Sequence, residues 1–123
     1  MVAALRLSSA ETMKLPREAA IARAKVTDYL LVRQSRGDKS AFLESGGYSL
    51  LNPGQLIADL HRLAGETEAT QVDENKFGRY YEVVGTLCGP AGVRLRVRTI
   101  WMTEHLSGDT KFITLIPLGG YQR

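Results

Sequence analysis

Strict alternation marks the segment 94–101, which reads Arg94-Leu95-Arg96-Val97-Arg98-Thr99-Ile100-Trp101. Side chains that are neighbours along a β-strand point to opposite faces of the sheet. One face of this strand therefore carries three arginines, and the other carries Leu95, Val97, Thr99 and Trp101. A strand of this kind is typical of an antiparallel sheet that is covered on one side only. The segment predicts a two-layer fold with one buried and one open sheet face.

The same period of two recurs through the second half of the chain. β-branched and aromatic residues, bounded by Gly, Asn and Asp, predict strands at about 68–72, 79–88, 93–104 and 111–118. The segments that join them are short enough for hairpin turns. Together they predict a four-stranded antiparallel meander.

The first half of the chain has helical spacing instead. Apolar residues recur at three- and four-residue intervals over 16–31, 39–44 and 53–65, and Asn52-Pro53 is a typical helix start. The predicted fold class is therefore α+β, with N-terminal helices packed on one face of a four-stranded antiparallel meander sheet. We expect a loosely ordered N-terminal arm at 1–15, a single domain at 16–118 and a C-terminal tail at 119–123.

Composition restricts the class of protein further. The chain has 123 residues, 44% of them hydrophobic and 24% charged, with a net charge of +3. These fractions are those of an ordinary globular domain, and the weak positive charge favours anionic partners. Cys88 has no second cysteine to pair with, and no apolar run approaches the ~20 residues that span a bilayer. We expect a cytoplasmic protein that does not bind membranes.

The arginine face of strand 94–101 is the main candidate for binding. Arg94, Arg96 and Arg98 would form a basic strip that suits an RNA phosphate backbone. Tyr80, on the preceding strand, could stack on a base among them, and Arg36 is a further candidate RNA contact. The alternative is an ordinary solvent-exposed face whose arginines pair with carboxylates such as Glu82. A third interpretation, an enzyme acting on a nucleotide or another small anion, needs the same basic strip.

Other chemistry has weaker support in the sequence. The carboxylates at 66–74 lack histidine partners, so they predict no metal site, and the glycines at 85–92 open no helix that could hold a nucleotide. No cofactor is expected. His105, at the end of the third predicted strand, is a candidate acid or base, although histidines at such positions usually have no catalytic role.

A series of short motifs extends from Lys14 to Pro117. They are Lys14-Leu15-Pro16, Val26-Thr27-Asp28-Tyr29-Leu30-Leu31, Gly37-Asp38-Lys39-Ser40-Ala41-Phe42, Phe77-Gly78-Arg79-Tyr80-Tyr81-Glu82-Val83, Leu87-Cys88-Gly89-Pro90-Ala91-Gly92, Val97-Arg98-Thr99-Ile100-Trp101 and Ile113-Thr114-Leu115-Ile116-Pro117. Their order resembles that of a family of small bacterial domains of unknown function. The plan of helices first and sheet last is also similar to the fold shared by RelE, barnase, EndoU and colicin ribonucleases.

This resemblance implies an activity and a set of residues. Ribonucleases of that fold cleave RNA through its 2′-hydroxyl without a metal, with a base or cation from the helical part facing the sheet. By position, Lys39, Thr99 and Thr114 match the family pattern, and Arg98 would supply a second cation. The chain departs from the pattern at Asp38, where the family has histidine, and at Ile116, where it has tyrosine. An aspartate could act as the general acid there only with a strongly raised pKa.

Two functions account best for these observations. The first is a metal-independent ribonuclease of a bacterial toxin–antitoxin or related system, with RNA as substrate and an antitoxin as partner. The second is a non-catalytic interaction domain of the same fold: an adaptor, an immunity-like protein or an oligomer subunit such as a homodimer. A groove with Lys39 at its wall would favour the first, and arginines paired with carboxylates would favour the second.

Overall fold

The computed structural model describes residues 12–121 of the chain. In chain order the helices are α1 (Arg23–Lys25), which continues into a π-helical turn (Val26–Leu30), α2 (Ser40–Ser45) and α3 (Pro53–Glu66). The strands are β1 (Thr12–Met13), β2 (Ala69–Glu74), β3 (Gly78–Cys88), β4 (Arg94–Glu104) and β5 (Thr110–Tyr121). The predicted α+β class is confirmed.

The sheet is an antiparallel meander in the order β1-β2-β3-β4-β5. The four long strands are those predicted, and the two-residue β1 is added at the edge next to β2. β5 continues to Tyr121, three residues beyond its predicted end. The predicted arm at 1–15 lies outside the described residues except at 12–15, and so do residues 122–123 of the predicted tail.

The covered face of the sheet carries the core. Leu95, Val97, Thr99 and Trp101 of β4 have no exposed surface, as the alternation predicts. Trp101 meets Phe112 of β5 edge to face, with ring centroids 5.3 Å apart. Helix α3 contributes buried leucines at helical spacing to the same core. They are Leu56, Leu60 and Leu63. Burying these side chains supplies most of the driving force for folding.

The first helix is shorter than its spacing predicts. Residues 16–22 precede α1, and Ala20 makes an isolated parallel bridge with Lys111. Ala20 N–H donates to the Thr110 carbonyl, and Phe112 N–H donates to the Ala20 carbonyl, both at 2.8 Å. Because these backbone groups bond to β5, they are not available for a helix. The segment before α1 therefore lies along the outer edge of β5, which brings the helical part beside that strand.

Candidate functional site

A polar cluster joins the start of α2 to the edge strand β5. The ammonium group of Lys39, directly before α2, donates to Thr114 Oγ1 at 3.1 Å and to the Tyr29 hydroxyl at 3.3 Å. Tyr29 belongs to the π-helical turn, and its ring packs partly against the core. Two neighbouring segments of the helical part and the distant strand β5 thus meet at one half-buried cation.

The hydrogen bonds within this cluster leave three of its donors unused. An ammonium group has three N–H donors, and Lys39 uses two of them on protein atoms. The hydroxyls of Tyr29 and Thr114 both accept from Lys39, so their own O–H groups point elsewhere. Within residues 12–121, neither hydroxyl donates to a protein acceptor. The cluster therefore presents three donors and a positive charge to any group that approaches it.

No carboxylate of the described chain lies within 4 Å of the Lys39 ammonium. The carboxylate next to it in sequence, Asp38, is used elsewhere: Oδ1 accepts from the Ser40 hydroxyl at 2.8 Å and from the backbone N–H groups of Ser40 and Gln34 at 3.2 Å. These bonds, with that from the Ser40 hydroxyl first, lower the pKa of Asp38. A general acid needs a raised pKa, so Asp38 stabilises the start of α2 and does not fit the role of the histidine expected from the resemblance.

Strand register relates Arg98 to this cluster. Arg98 pairs with Ile116, and Ile100 pairs with Thr114, so Thr114 is the diagonal neighbour of Arg98. Such neighbours share a face and lie about 7–8 Å apart between Cα atoms. Arg98 Nε is 3.3 Å from Glu82 Oε1 on β3, which partly neutralises the arginine. The predicted pairing with Glu82 is therefore present at Arg98.

The other two arginines of the strip are exposed on the open face. Within the described part of the chain, no carboxylate oxygen lies within 4 Å of Arg94 or Arg96. The strip thus has two parts: one arginine balanced by Glu82 and two that face solvent without a described counter-ion.

Thr99 is not part of this surface. It lies on the covered face with no exposed area, donates to the Val83 carbonyl at 2.9 Å and accepts from Trp101 Nε1 at 2.8 Å. The prediction that Thr99 contacts a substrate is corrected by this position, because a buried hydroxyl with both bonds satisfied has no access to one. The resemblance placed Thr99 by motif, whereas the alternation already assigns it to the apolar face.

The remaining predicted residues lie away from the arginine strip or beside the cluster. Tyr80 pairs with Met102, four residues along β4 from Arg98, which corresponds to about 13 Å. Its hydroxyl accepts from Asn75 Nδ2 at 3.4 Å, so its ring does not lie among the arginines. His105 belongs to the same end of the sheet, with Nε2 3.3 Å from Glu74 Oε2.

Arg36 is exposed in the loop between the π-helical turn and α2. The next residue, Gly37, has a φ of +61°, and a Cβ there would lie 3.9 Å from the Tyr29 hydroxyl. Glycine adopts this left-handed conformation without steric cost. Arg36 is thus adjacent in sequence to a residue that lies beside the Lys39 cluster.

Sequence reasoning missed Tyr29 and Lys25. Tyr29 lies within the helical spacing predicted over 16–31, but it is half-buried and its hydroxyl accepts a hydrogen bond from Lys39. Lys25 donates from Nζ to the Ile113 carbonyl at 2.9 Å and lines a pocket with Tyr29 and Thr114. Tyr29 belongs to one of the motifs that carry the resemblance, and this membership could have identified it as a candidate site residue. Nothing in the sequence indicates that Lys25 approaches β5.

Residues 12–121 contain neither a metal-binding cluster nor a membrane-spanning helix. No group of three or more histidine, cysteine or acidic side chains there is arranged to hold a metal ion. None of the helices in that range is long and apolar enough to cross a bilayer.

Comparison with known families assigns most of the chain to a described family. A family described as a domain of unknown function, DUF6883, matches residues 14–119. The match covers most of the chain, so the protein belongs to this family. No curated protein and no solved structure gives a significant match.

Proposed function

We propose that this domain binds RNA at the Lys39 cluster and cleaves it without a metal. The observation that carries the proposal is the set of unused donors on Lys39, Tyr29 and Thr114, around a cation that has no carboxylate partner in the described chain. A site made only of donors and positive charge is complementary to a phosphodiester and to the extra negative charge of its transition state.

The strip on the open face supports RNA rather than a small anion as the ligand. Arg94 and Arg96 are exposed on the same face as Arg98, which is the diagonal neighbour of Thr114. A chain of phosphates spaced along β4 could contact several of these cations at once. Lys and Arg contacts of this type contribute most of the sequence-independent affinity for nucleic acids.

The proposed reaction is an attack of the RNA 2′-oxygen on the adjacent phosphorus. The bond from phosphorus to the 5′-oxygen breaks, which leaves a 2′,3′-cyclic phosphate and a free 5′-hydroxyl. Lys39 and Arg98 stabilise the charge on the phosphoryl oxygens, and Thr114 donates to one of them. The 2′-hydroxyl proton passes to water. Tyr29 gives its phenolic proton to the leaving 5′-oxygen and regains one from solvent. Among the proposed catalytic residues, Tyr29 replaces the predicted Thr99.

The test is incubation of the protein with mixed labelled RNAs in the presence of EDTA, scored for products that end in a 2′,3′-cyclic phosphate. We expect cleavage by the unaltered protein and a rate reduced about 10²-fold or more in Lys39→Met. Tyr29→Phe, which keeps the ring, and Thr114→Val should also slow the reaction. Lys76→Met is the matched control, since Lys76 is an exposed lysine in the β2–β3 turn. Its rate should be unchanged.

A second function has its own supporting observation. Phe77 and Leu106 are large exposed side chains at the hairpin end of the sheet, and Leu50 and Leu51 are exposed before α3. Exposed apolar groups of this size are typical of protein interfaces. Together with the Arg98–Glu82 pair, they support a non-catalytic domain that binds another protein or a second copy of itself. Absence of cleavage with protein in large excess over RNA would reject the ribonuclease in favour of this function.

A further inference from the structure

A pocket of about 500 Å³ adjoins the Lys39 cluster at the edge of β5. Its lining residues are Ala22, Ala24, Lys25, Tyr29, Ile113 and Thr114. Two of them, Tyr29 and Thr114, are the hydrogen-bond partners of Lys39. Whatever occupies the pocket therefore lies next to the group that the cluster binds. Pockets that hold small ligands have volumes of about 300–1,000 Å³, so this one can hold a ring system.

The walls of the pocket are mainly apolar, with one cation among them. Ala22, Ala24 and Ile113 provide aliphatic surface, and Tyr29 provides an aromatic ring. Lys25 is held in place by its bond to the Ile113 carbonyl at 2.9 Å. The ammonium group keeps two further N–H donors, and within residues 12–121 no carboxylate lies within 4 Å of it.

This combination matches a nucleobase attached to the bound phosphate. Nucleobases stack on aromatic and aliphatic side chains through their faces and form hydrogen bonds through their edges. Two adjacent donors on one lysine suit an edge with two adjacent acceptors. Guanine has such an edge, with O6 and N7, whereas adenine presents one acceptor and one donor there. We propose that the pocket is a base subsite that selects guanine next to the phosphate at Lys39; this inference rests on the proposed function.

The experiment measures binding of three probes by calorimetry: guanosine 3′-monophosphate, adenosine 3′-monophosphate and inorganic phosphate. The unaltered protein should bind the guanosine nucleotide about tenfold more tightly than the adenosine nucleotide. Lys25→Met should abolish this preference and leave phosphate binding intact. Lys39→Met should weaken all three ligands.

A second variant tests the pocket independently, in case Lys25→Met does not fold. Ala24 is exposed, and Ala24→Leu fills part of the pocket without removing either lysine. We expect it to weaken both nucleotides and leave phosphate unaffected. Unfolding curves of each variant confirm that it is folded at the temperature used.

The outcomes separate this inference from the proposed function. Equal affinity for both nucleotides, or a preference that survives Lys25→Met, overturns the guanine subsite while Lys39-dependent RNA cleavage still stands. Guanine preference that depends on Lys25, in a protein that does not cleave RNA, supports the subsite and rejects the ribonuclease. Failure of all three probes to bind overturns the subsite, and the cleavage assay then decides the proposed function alone.

Discussion

Two polar clusters of this protein each combine a tyrosine hydroxyl with a charged side chain. They differ in whether a side chain of opposite charge lies beside it in the described chain. In the core, Tyr48 donates to Asp59 Oδ2 at 2.6 Å, while Gln55 and Arg62 donate to Oδ1 at 3.0 and 2.6 Å. At the edge of β5, Tyr29 accepts from Lys39, and no described carboxylate balances that lysine.

The difference separates a structural role from a binding role. Tyr48 and Asp59 are almost fully buried, and burial together with the bond to Asp59 raises the pKa of Tyr48, so the phenol stays protonated. A buried carboxylate is tolerated only when it is paired in this way. The Lys39 cluster is accessible to solvent. Its unused donors add to the stability of the protein only when an anion binds to them.

The largest expected effect is on the core cluster. Asp59→Ala leaves the buried Tyr48 hydroxyl without its acceptor and removes the partner of Arg62, so we expect a loss of about 3 kcal/mol in the free energy of unfolding. Urea unfolding measures it. Lys39→Met should change the same quantity by less than about 1 kcal/mol, because that lysine has no buried charge partner. Equal losses in the two variants would contradict the division into structural and binding clusters.

The next effect concerns the two threonines that motif matching treated alike. Thr99→Val removes the acceptor of Trp101 Nε1 in the core and should destabilise the protein by about 2 kcal/mol, with RNA binding by the folded protein unchanged. Thr114→Val should leave the free energy of unfolding nearly unchanged and weaken RNA binding. Denaturation curves and RNA titrations on both variants test this, and reduced RNA binding by folded Thr99→Val would restore its predicted role.

A smaller effect tests the balance of charge on the open face. Glu82→Gln frees Arg98 from its ion pair, and such partly exposed pairs are worth at most about 1 kcal/mol. We expect RNA affinity to rise about threefold. In a salt titration, the plot of log affinity against log salt concentration should become steeper by about 0.7 for single-stranded RNA, because one more counter-ion is released. An unchanged affinity and slope would mean that Arg98 does not contact phosphate.

The smallest effect is a pH dependence at the start of α2. The folded pKa of Asp38 lies below its ordinary value, so its contribution to stability is present above about pH 4. It is lost as the pH falls through the lowered value. Comparison of the unaltered protein with Asp38→Ala in urea from pH 7 to pH 2 should show a difference at neutral pH that vanishes in acid. A difference that grows in acid would mean that the pKa is raised instead.

Much of the architecture was predictable because it depends on periodicity. The alternation at 94–101 assigns each residue of that strand to its face, and β3, β4 and α3 begin and end within about one residue of the predicted limits. The helix predicted from residue 16 begins at Arg23, because backbone pairing of Ala20 with β5 is a long-range event without a local signal.

The sequence alone determined which residues face the core and which face solvent on the sheet, since side-chain direction follows from the two-residue period of a strand. It also marked Lys39, Thr114 and the arginines as chemically notable. Only the tertiary structure decided that Tyr29 and Lys25 join Lys39 and Thr114 at one sheet edge, and that Asp38 has a structural role. Hydrogen bonds between residues as far apart as 75 and 88 positions depend on how the chain is packed, which no local pattern encodes.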